Sequence, residues 1–151
     1  MTTGFLHHER YLWHDTRSAA LYLPAGGMVQ PGEHAENPET KRRLRSLLEV
    51  SGVMDHLVQL APRPATEEEV LRYHTRDYIE RLKTMSAADG GMAGEGTPFG
   101  PGSWDIALLS AGGVIRALDA VVEGEVDNAY ALVRPPGHHA EKDEGRGFCM
   151  L

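Results

Sequence analysis

Asn128-Ala129-Tyr130-Ala131-Leu132-Val133 is a near-continuous apolar run that stops at Arg134-Pro135-Pro136. The run is too short for a typical helix and suits a strand. With no polar alternation, such a strand is expected to be covered on both faces. Parallel sheets provide that cover, because their crossovers place helices on either side. The run therefore points the whole chain towards an α/β fold.

The other segments alternate in the same sense. Thr3–His8 reads as a short strand, and the Pro- and Gly-bearing stretch Tyr11–Pro31 as loop. Asn37-Pro38-Glu39 opens a helix, with Asn37 as cap, proline at the first helical position and an acid in the first turn. Leu44, Leu47 and Leu48 share one face of it, and Ser51-Gly52 ends it. His56–Ala61 reads as a strand closed by Pro62 and Pro64. Thr66 to Glu69 fits a capping box, with a helix running to about Tyr73. Thr75 caps a further helix that points Tyr78, Ile79 and Leu82 inward. Ser86–Gly102 is a glycine-rich loop long enough to suggest a functional role. Ser103 is expected to cap the strongest helix, with Leu108, Ala111, Ile115, Leu118 and Val122 as its buried stripe. No internal repeat or low-complexity tract interrupts the 151 residues, which suit one domain.

Charge and cysteine content narrow the chemistry. A formal net charge of −7 gives no bulk attraction to nucleic acid or anionic lipid. No segment has the length and apolarity of a membrane helix, and the start lacks the pattern of a secretory signal. One cysteine, Cys149, excludes an internal disulfide and a multi-cysteine zinc cluster. The expectation is a cytoplasmic protein with no nucleic-acid or membrane partner; a homo-oligomeric state stays open. His7-His8 with His14 has no accompanying ligand pattern and reads as solvated or packing residues. The glycines between Gly90 and Gly96 lack the endings of a phosphate-binding loop.

The stretch with chemical content begins where the apolar run ends. Ligands of open α/β sheets gather at the carboxyl ends of the strands. There Pro135-Pro136-Gly137 stiffens the backbone and His138-His139 follows at once. Adjacent side chains in an extended loop point in different directions, so one imidazole can face a reacting centre while the other is anchored. Imidazole has an unperturbed pKa of about 6.5, which suits proton transfer near neutrality.

Arg134-Pro-Pro-Gly-His-His-Ala140 followed by Gly147-Phe-Cys149 resembles the signature of the histone deacetylase superfamily. The Arg-Pro-Pro form is similar to that of the class II branch and its bacterial amidohydrolase relatives. The likeness extends to Ser110-Ala111-Gly112-Gly113, to His74-Thr75 with Tyr78, and to Tyr11, Trp13 and Asp15-Thr16. It implies an arginase/deacetylase-like three-layer fold with a mainly parallel sheet flanked by helices. It also implies zinc-dependent hydrolysis of the acetyl amide of acetyl-lysine or an acetylated polyamine. His138 matches the histidine that assists electrostatically, and His139 the general base and later acid. Gly147 matches a carbonyl that accepts the substrate N–H, and Phe148 a wall of the acyl-lysine tunnel. Glu95 is the candidate acid at the tunnel mouth, with Tyr11, Trp13 and Asp15 on the opposite rim, or Trp13 packed into the core instead. Cys149 has no catalytic task.

The family's zinc ligands, an aspartate, a histidine and a second aspartate, follow the Gly-Phe-Cys motif and are expected beyond Leu151. Residues 1–151 therefore read as the N-terminal portion of one deacetylase-type catalytic domain, holding the proton-transfer half of the site without the metal half. Taken alone they are expected to be inactive. Two other readings stand beside the deacetylase: an acetylpolyamine or small-amide amidohydrolase, and an inactive module that binds acylated amines.

Overall fold

The computed structural model describes residues 1–151. In chain order it contains β1 (Thr3–Leu6), the hairpin β2 (Ala19–Ala20) and β3 (Leu23–Pro24), α1 (Glu39–Val50), and β4 (Leu57–Leu60). Then come α2 (Glu67–Leu71), α3 (Arg76–Ala87), the short strands β5 (Gly91–Met92), β6 (Gly94–Glu95) and β7 (Pro98–Phe99), α4 (Ser103–Val122), β8 (Asn128–Ala131) and β9 (Gly145–Arg146). A 3-10 turn at Glu9–Trp13 overlaps the start of the stretch expected to be loop.

The central sheet has the order β4-β1-β8 and is parallel throughout, with Leu6 opposite both Leu60 and Ala131. α4 packs on one face over Leu6, Leu60 and Val126, through Ile106, Ala117 and Ala120. On the other face Phe5 stacks with Tyr130, and Arg45 and Glu49 of α1 border the same hollow as Phe5. A second core joins α3 to α4 and the glycine-rich segment, with Ile79, Leu82, Phe99 and Met150 fully buried. No helix is long and apolar enough to cross a membrane.

Several local expectations hold at atomic detail. Thr66 and Glu69 form the reciprocal capping box, and the Thr75 hydroxyl accepts the Tyr78 N–H. Asn37 accepts the Glu39 N–H at 3.0 Å and so satisfies the start of α1.

Four expectations need correction. β8 is an edge strand with half of Tyr130 exposed, so it is not covered on both faces. Apolarity reports a demand for cover but not how many neighbours supply it. Ser103 is the first residue of α4 and Gly102 takes the cap position; the Ser86 hydroxyl accepts the Trp104 N–H instead. On α4 the most buried face is Ser103, Ala107, Ser110, Gly113, Ala117 and Ala120, whereas Leu118 and Val122 are exposed. The small residues win that face because they let the helix approach its neighbours closely. Leu47 is also exposed, and α1 buries no residue fully.

Candidate active site

The site is built from beneath. β8 continues into Leu132, whose N–H donates to the Leu6 carbonyl at 2.8 Å, and two residues later the Arg134 side chain turns fully inward. Its Nε donates to both Glu36 carboxylate oxygens, at 2.9 and 2.8 Å, and Nη1 and Nη2 reach the carbonyls of Tyr11, His14 and Glu36. Lys41 Nζ completes the neutralisation of Glu36 at 2.9 Å. From above, the Ser110 hydroxyl on α4 donates to the Pro135 carbonyl at 2.9 Å. Thus the turn carrying the histidines is held at its base by a buried ion pair and at its side by the long helix.

The two imidazoles lie 4.2 Å apart between ring centroids, inclined at 49°, and they face different spaces. His138 borders an apolar groove of about 570 Å³ with Ala107, Ser110, Val114, Ile115 and Leu151. His139 borders a cleft of about 560 Å³ shared with Glu95, Gly147 and Phe148. The structure therefore brings four of the five candidate residues into one cleft, while His138, beside His139, lines the neighbouring groove. An imidazole open to such a cleft can exchange a proton with its occupant.

Residues 145–149 double back as a tight turn, with Gly147 at φ +50° and Phe148 at φ +76°. The turn lies on the glycine-rich segment. Gly147 N–H donates to the Glu95 carbonyl at 3.0 Å, and Phe148 N–H to the Gly96 carbonyl and the Thr97 hydroxyl at 3.2 Å each. A Cβ on Gly147 would stand 3.1 Å from His139 Cδ2, so the glycine lets the backbone lie flat against that ring. The Phe148 ring meets His34 edge-on at 4.8 Å between centroids. The Glu95 carboxylate projects to the mouth of the cleft, where Arg146 takes it at 3.2 Å.

Cys149 is buried behind this turn. Its Sγ accepts the His139 N–H at 3.4 Å, and the thiol contacts the Gly147 carbonyl at 3.7 Å. Burial raises its pKa, so it stays a neutral thiol that positions backbone rather than a thiolate nucleophile.

Of the remaining histidines, His14, His34 and His74 are buried and His7 is partly buried, while His8 and His56 are exposed. His14 is buried with Nδ1 3.1 Å from the Ser103 hydroxyl; desolvation, then the Arg134 charge, lowers its pKa to about 3. Burial also lowers His7 and His74. Tyr11, expected at the opposite rim, is instead fully buried with its hydroxyl on the Leu109 carbonyl, and Trp13, for which core packing was the alternative, is 74% exposed. No three His, Cys, Asp or Glu side chains come together around one point. The side chains of this chain thus do not by themselves fit a zinc site, which requires three protein ligands and an open position.

Sequence reasoning missed Glu36, His34 and Thr97. The usable signal for Glu36 was Arg134 itself, an arginine between a buried run and two prolines. Arginine is seldom fully buried without an acidic partner, so one had to exist. Nothing in the sequence says that it stands 98 positions earlier.

Comparison with known proteins bears on the family and the fold. The model of the histone deacetylase domain matches residues 34–151. A histone deacetylase-like amidohydrolase of Pseudomonas aeruginosa is 54% identical over 99% of this chain and 40% of its own length. A probable deacetylase of Archaeoglobus fulgidus is 38% identical over 100% of this chain and 38% of its own. The human polyamine deacetylase HDAC10 is 29% identical, with 22% of its length covered. Among solved structures, the HDA15 HD domain superposes with a TM-score of 0.84 at 28% identity, over 99% of this chain and 40% of that one. The chain thus spans about 40% of the length of the bacterial and archaeal relatives it matches. From the buried base of the histidine turn to the Gly-Phe-Cys turn laid against it, this chain belongs to the histone deacetylase family.

Proposed function

We propose that these residues supply the proton-transfer half of a zinc-dependent deacetylase site acting on acetyl-lysine or a related acylated amine. The observation that carries this reading is the convergence of His139, Gly147 and Phe148 on one cleft beyond the carboxyl end of β8. Hydrolysis adds water across the amide and releases acetate and the free amine. In this reading His139 takes a proton from the attacking water and returns one to the departing nitrogen, contributing about 10²–10⁴-fold. The Gly147 carbonyl accepts the substrate N–H, and the Phe148 ring packs along the methylenes of the acylated side chain. His138, its ring 4.2 Å from that of His139, assists electrostatically. Glu95 stands at the mouth.

The metal ligands are assigned to a part of the domain outside these residues, as the family resemblance implies. Residues 1–151 are accordingly one portion of a single catalytic domain, inactive when isolated. A cytoplasmic setting belongs to the same proposal.

The test is His139→Ala in the protein as its source cells make it, followed by acetate release and elemental zinc analysis. Turnover should fall by about 10²-fold or more with zinc content unchanged. Loss of zinc on that substitution would overturn the role given to His139. Stoichiometric zinc and acetate release by the 151 residues alone would overturn the placement of the metal ligands.

A further inference from the structure

The outer wall of the His139 cleft is apolar. Tyr22, Leu23 and Pro24 from the β2–β3 hairpin face Met92 and Phe148 across it. Tyr22, Leu23 and Met92 are 53%, 51% and 42% exposed, so this wall presents greasy surface to an incoming molecule. Only two of the lining residues carry a permanent charge, Glu95 and Arg146, and they are directly opposite in the parallel pairing of β6 with β9.

Arg146 Nη2 lies 3.2 Å from Glu95 Oε2, while its Nη1 holds Glu141 Oε1 at 2.8 Å. The third nearby acid, Glu144, accepts the Glu95 N–H at 3.3 Å. Glu95 and Glu141 are therefore both engaged by Arg146, whereas Glu144 has no cationic partner and does not line the cleft. The guanidinium itself sits one residue before Gly147, beside the position where the acylated amine would enter.

We propose that Arg146 is a specificity-determining residue of the deacetylase site described above. Together with the apolar rim, it selects acylated amines with a neutral body, such as acyl-lysine in a peptide, over acylated polyamines. The proposal rests on the deacetylase reading and deepens it. An acylated polyamine brings further ammonium groups a few ångströms behind its amide. To seat them, a cleft needs carboxylates free to accept them, and Arg146 holds those of Glu95 and Glu141. It also adds a like charge where the second ammonium would lie, and juxtaposed like charges exclude partners effectively. The rim offers no replacement for the water that the ammonium would lose.

The test compares wild type, Arg146→Met and Arg146→Lys in the protein as its source cells make it. The quantity read is kcat/KM for N-acetylspermidine divided by kcat/KM for an acetyl-lysine peptide that is otherwise neutral. Arg146→Met should raise this ratio about tenfold by freeing Glu95 and Glu141 and removing the like charge. Arg146→Lys should stay near the wild-type ratio, because it keeps a cation at the mouth. Adding Glu95→Gln to Arg146→Met should reverse part of the gain. A ratio unchanged in Arg146→Met, or raised equally by Arg146→Lys, overturns the proposal while leaving the deacetylase reading intact. Wild-type protein that hydrolyses neither substrate overturns the deacetylase reading, and this proposal with it.

Discussion

Arg134 and Glu36 form a buried ion pair across 98 positions of sequence, with Arg134 Nε 2.9 and 2.8 Å from the two carboxylate oxygens. Neither residue is free to be replaced singly. The guanidinium also holds the carbonyls of Tyr11, His14 and Glu36, so one side chain closes the hydrogen bonds of two loops beneath the histidine turn. The pair thereby links the segment around Glu36 to the position of His139.

Arg134→Met tests that link. It keeps much of the side-chain volume but leaves the Glu36 carboxylate buried with Lys41 as its one remaining cation. Removing one partner of a buried pair typically costs about 3–5 kcal/mol. Urea denaturation should show a loss of that size, and an unchanged midpoint would mean the pair contributes nothing that methionine cannot replace. Glu36→Gln should cost at least as much, since it leaves the buried Arg134 guanidinium without a counter-charge.

The fold was legible wherever a signal was local. The Thr66 capping box, the Thr75 cap and the inward set Tyr78, Ile79 and Leu82 are encoded within a few residues of where they act. The parallel sheet was likewise readable from one apolar run. What escaped depended on partners far away in sequence. α4 is apolar almost all round, so its periodicity could not say which face is covered; the small-residue face is, because it permits close approach. In the site, His139, Gly147 and Phe148 were identifiable from one short stretch, whereas Glu36 and His34 enter only through tertiary contacts. The separation of His138 from His139 into two spaces followed from the extended loop, but which imidazole faces which space did not.

Gly112 lies on a different side of α4 from that small-residue face, against the 63–65 segment, and makes its own prediction. A Cβ on Gly112 would overlap the Arg63 carbonyl and the Ala65 amide, on the segment whose Ala65 N–H donates to Leu108 at 2.8 Å. Backbone cannot swing aside as a side-chain tip can. Gly112→Ala should therefore destabilise by about 1–3 kcal/mol through overpacking, despite a gain of about 1 kcal/mol in helix propensity. Thermal denaturation should fall by several degrees. A raised melting temperature would show that the 63–65 segment yields freely.

Buried histidines make stability depend on pH. His14 titrates at about 3 in the folded protein, chiefly because burial disfavours its charged form, against 6.5 when unfolded. The unfolded state therefore binds more protons between those values, and stability must fall as pH drops from 6.5 towards 3. Each such group contributes a slope of at most about 1.4 kcal/mol per pH unit. His7 and His74 are lowered too and add in the same direction. Urea midpoints should be constant between pH 7 and about 8 and decline below 6.5. His14→Asn, which can keep a partner for the Ser103 hydroxyl, should flatten the decline; an equally steep one would assign the effect to other groups.

Gly147 separates the geometry of the site from its stability. Alanine there must adopt φ +50° and also bring its Cβ within 3.1 Å of His139 Cδ2. The left-handed conformation costs about 1–2 kcal/mol for a residue with a Cβ. His139 is exposed on its cleft side, so it is free to give way, and the contact is relieved by moving the imidazole rather than by unfolding the turn. In the protein as its source cells make it, Gly147→Ala should therefore lower kcat about tenfold or more for a modest fall in melting temperature. Gly124→Ala is the matched control, with φ +74° and open space around its Cβ, far from the cleft in sequence and in the fold. It should show a similar fall in melting temperature and unchanged kcat. Equal kcat in the two variants would mean that the position of the His139 ring against Gly147 does not matter for turnover.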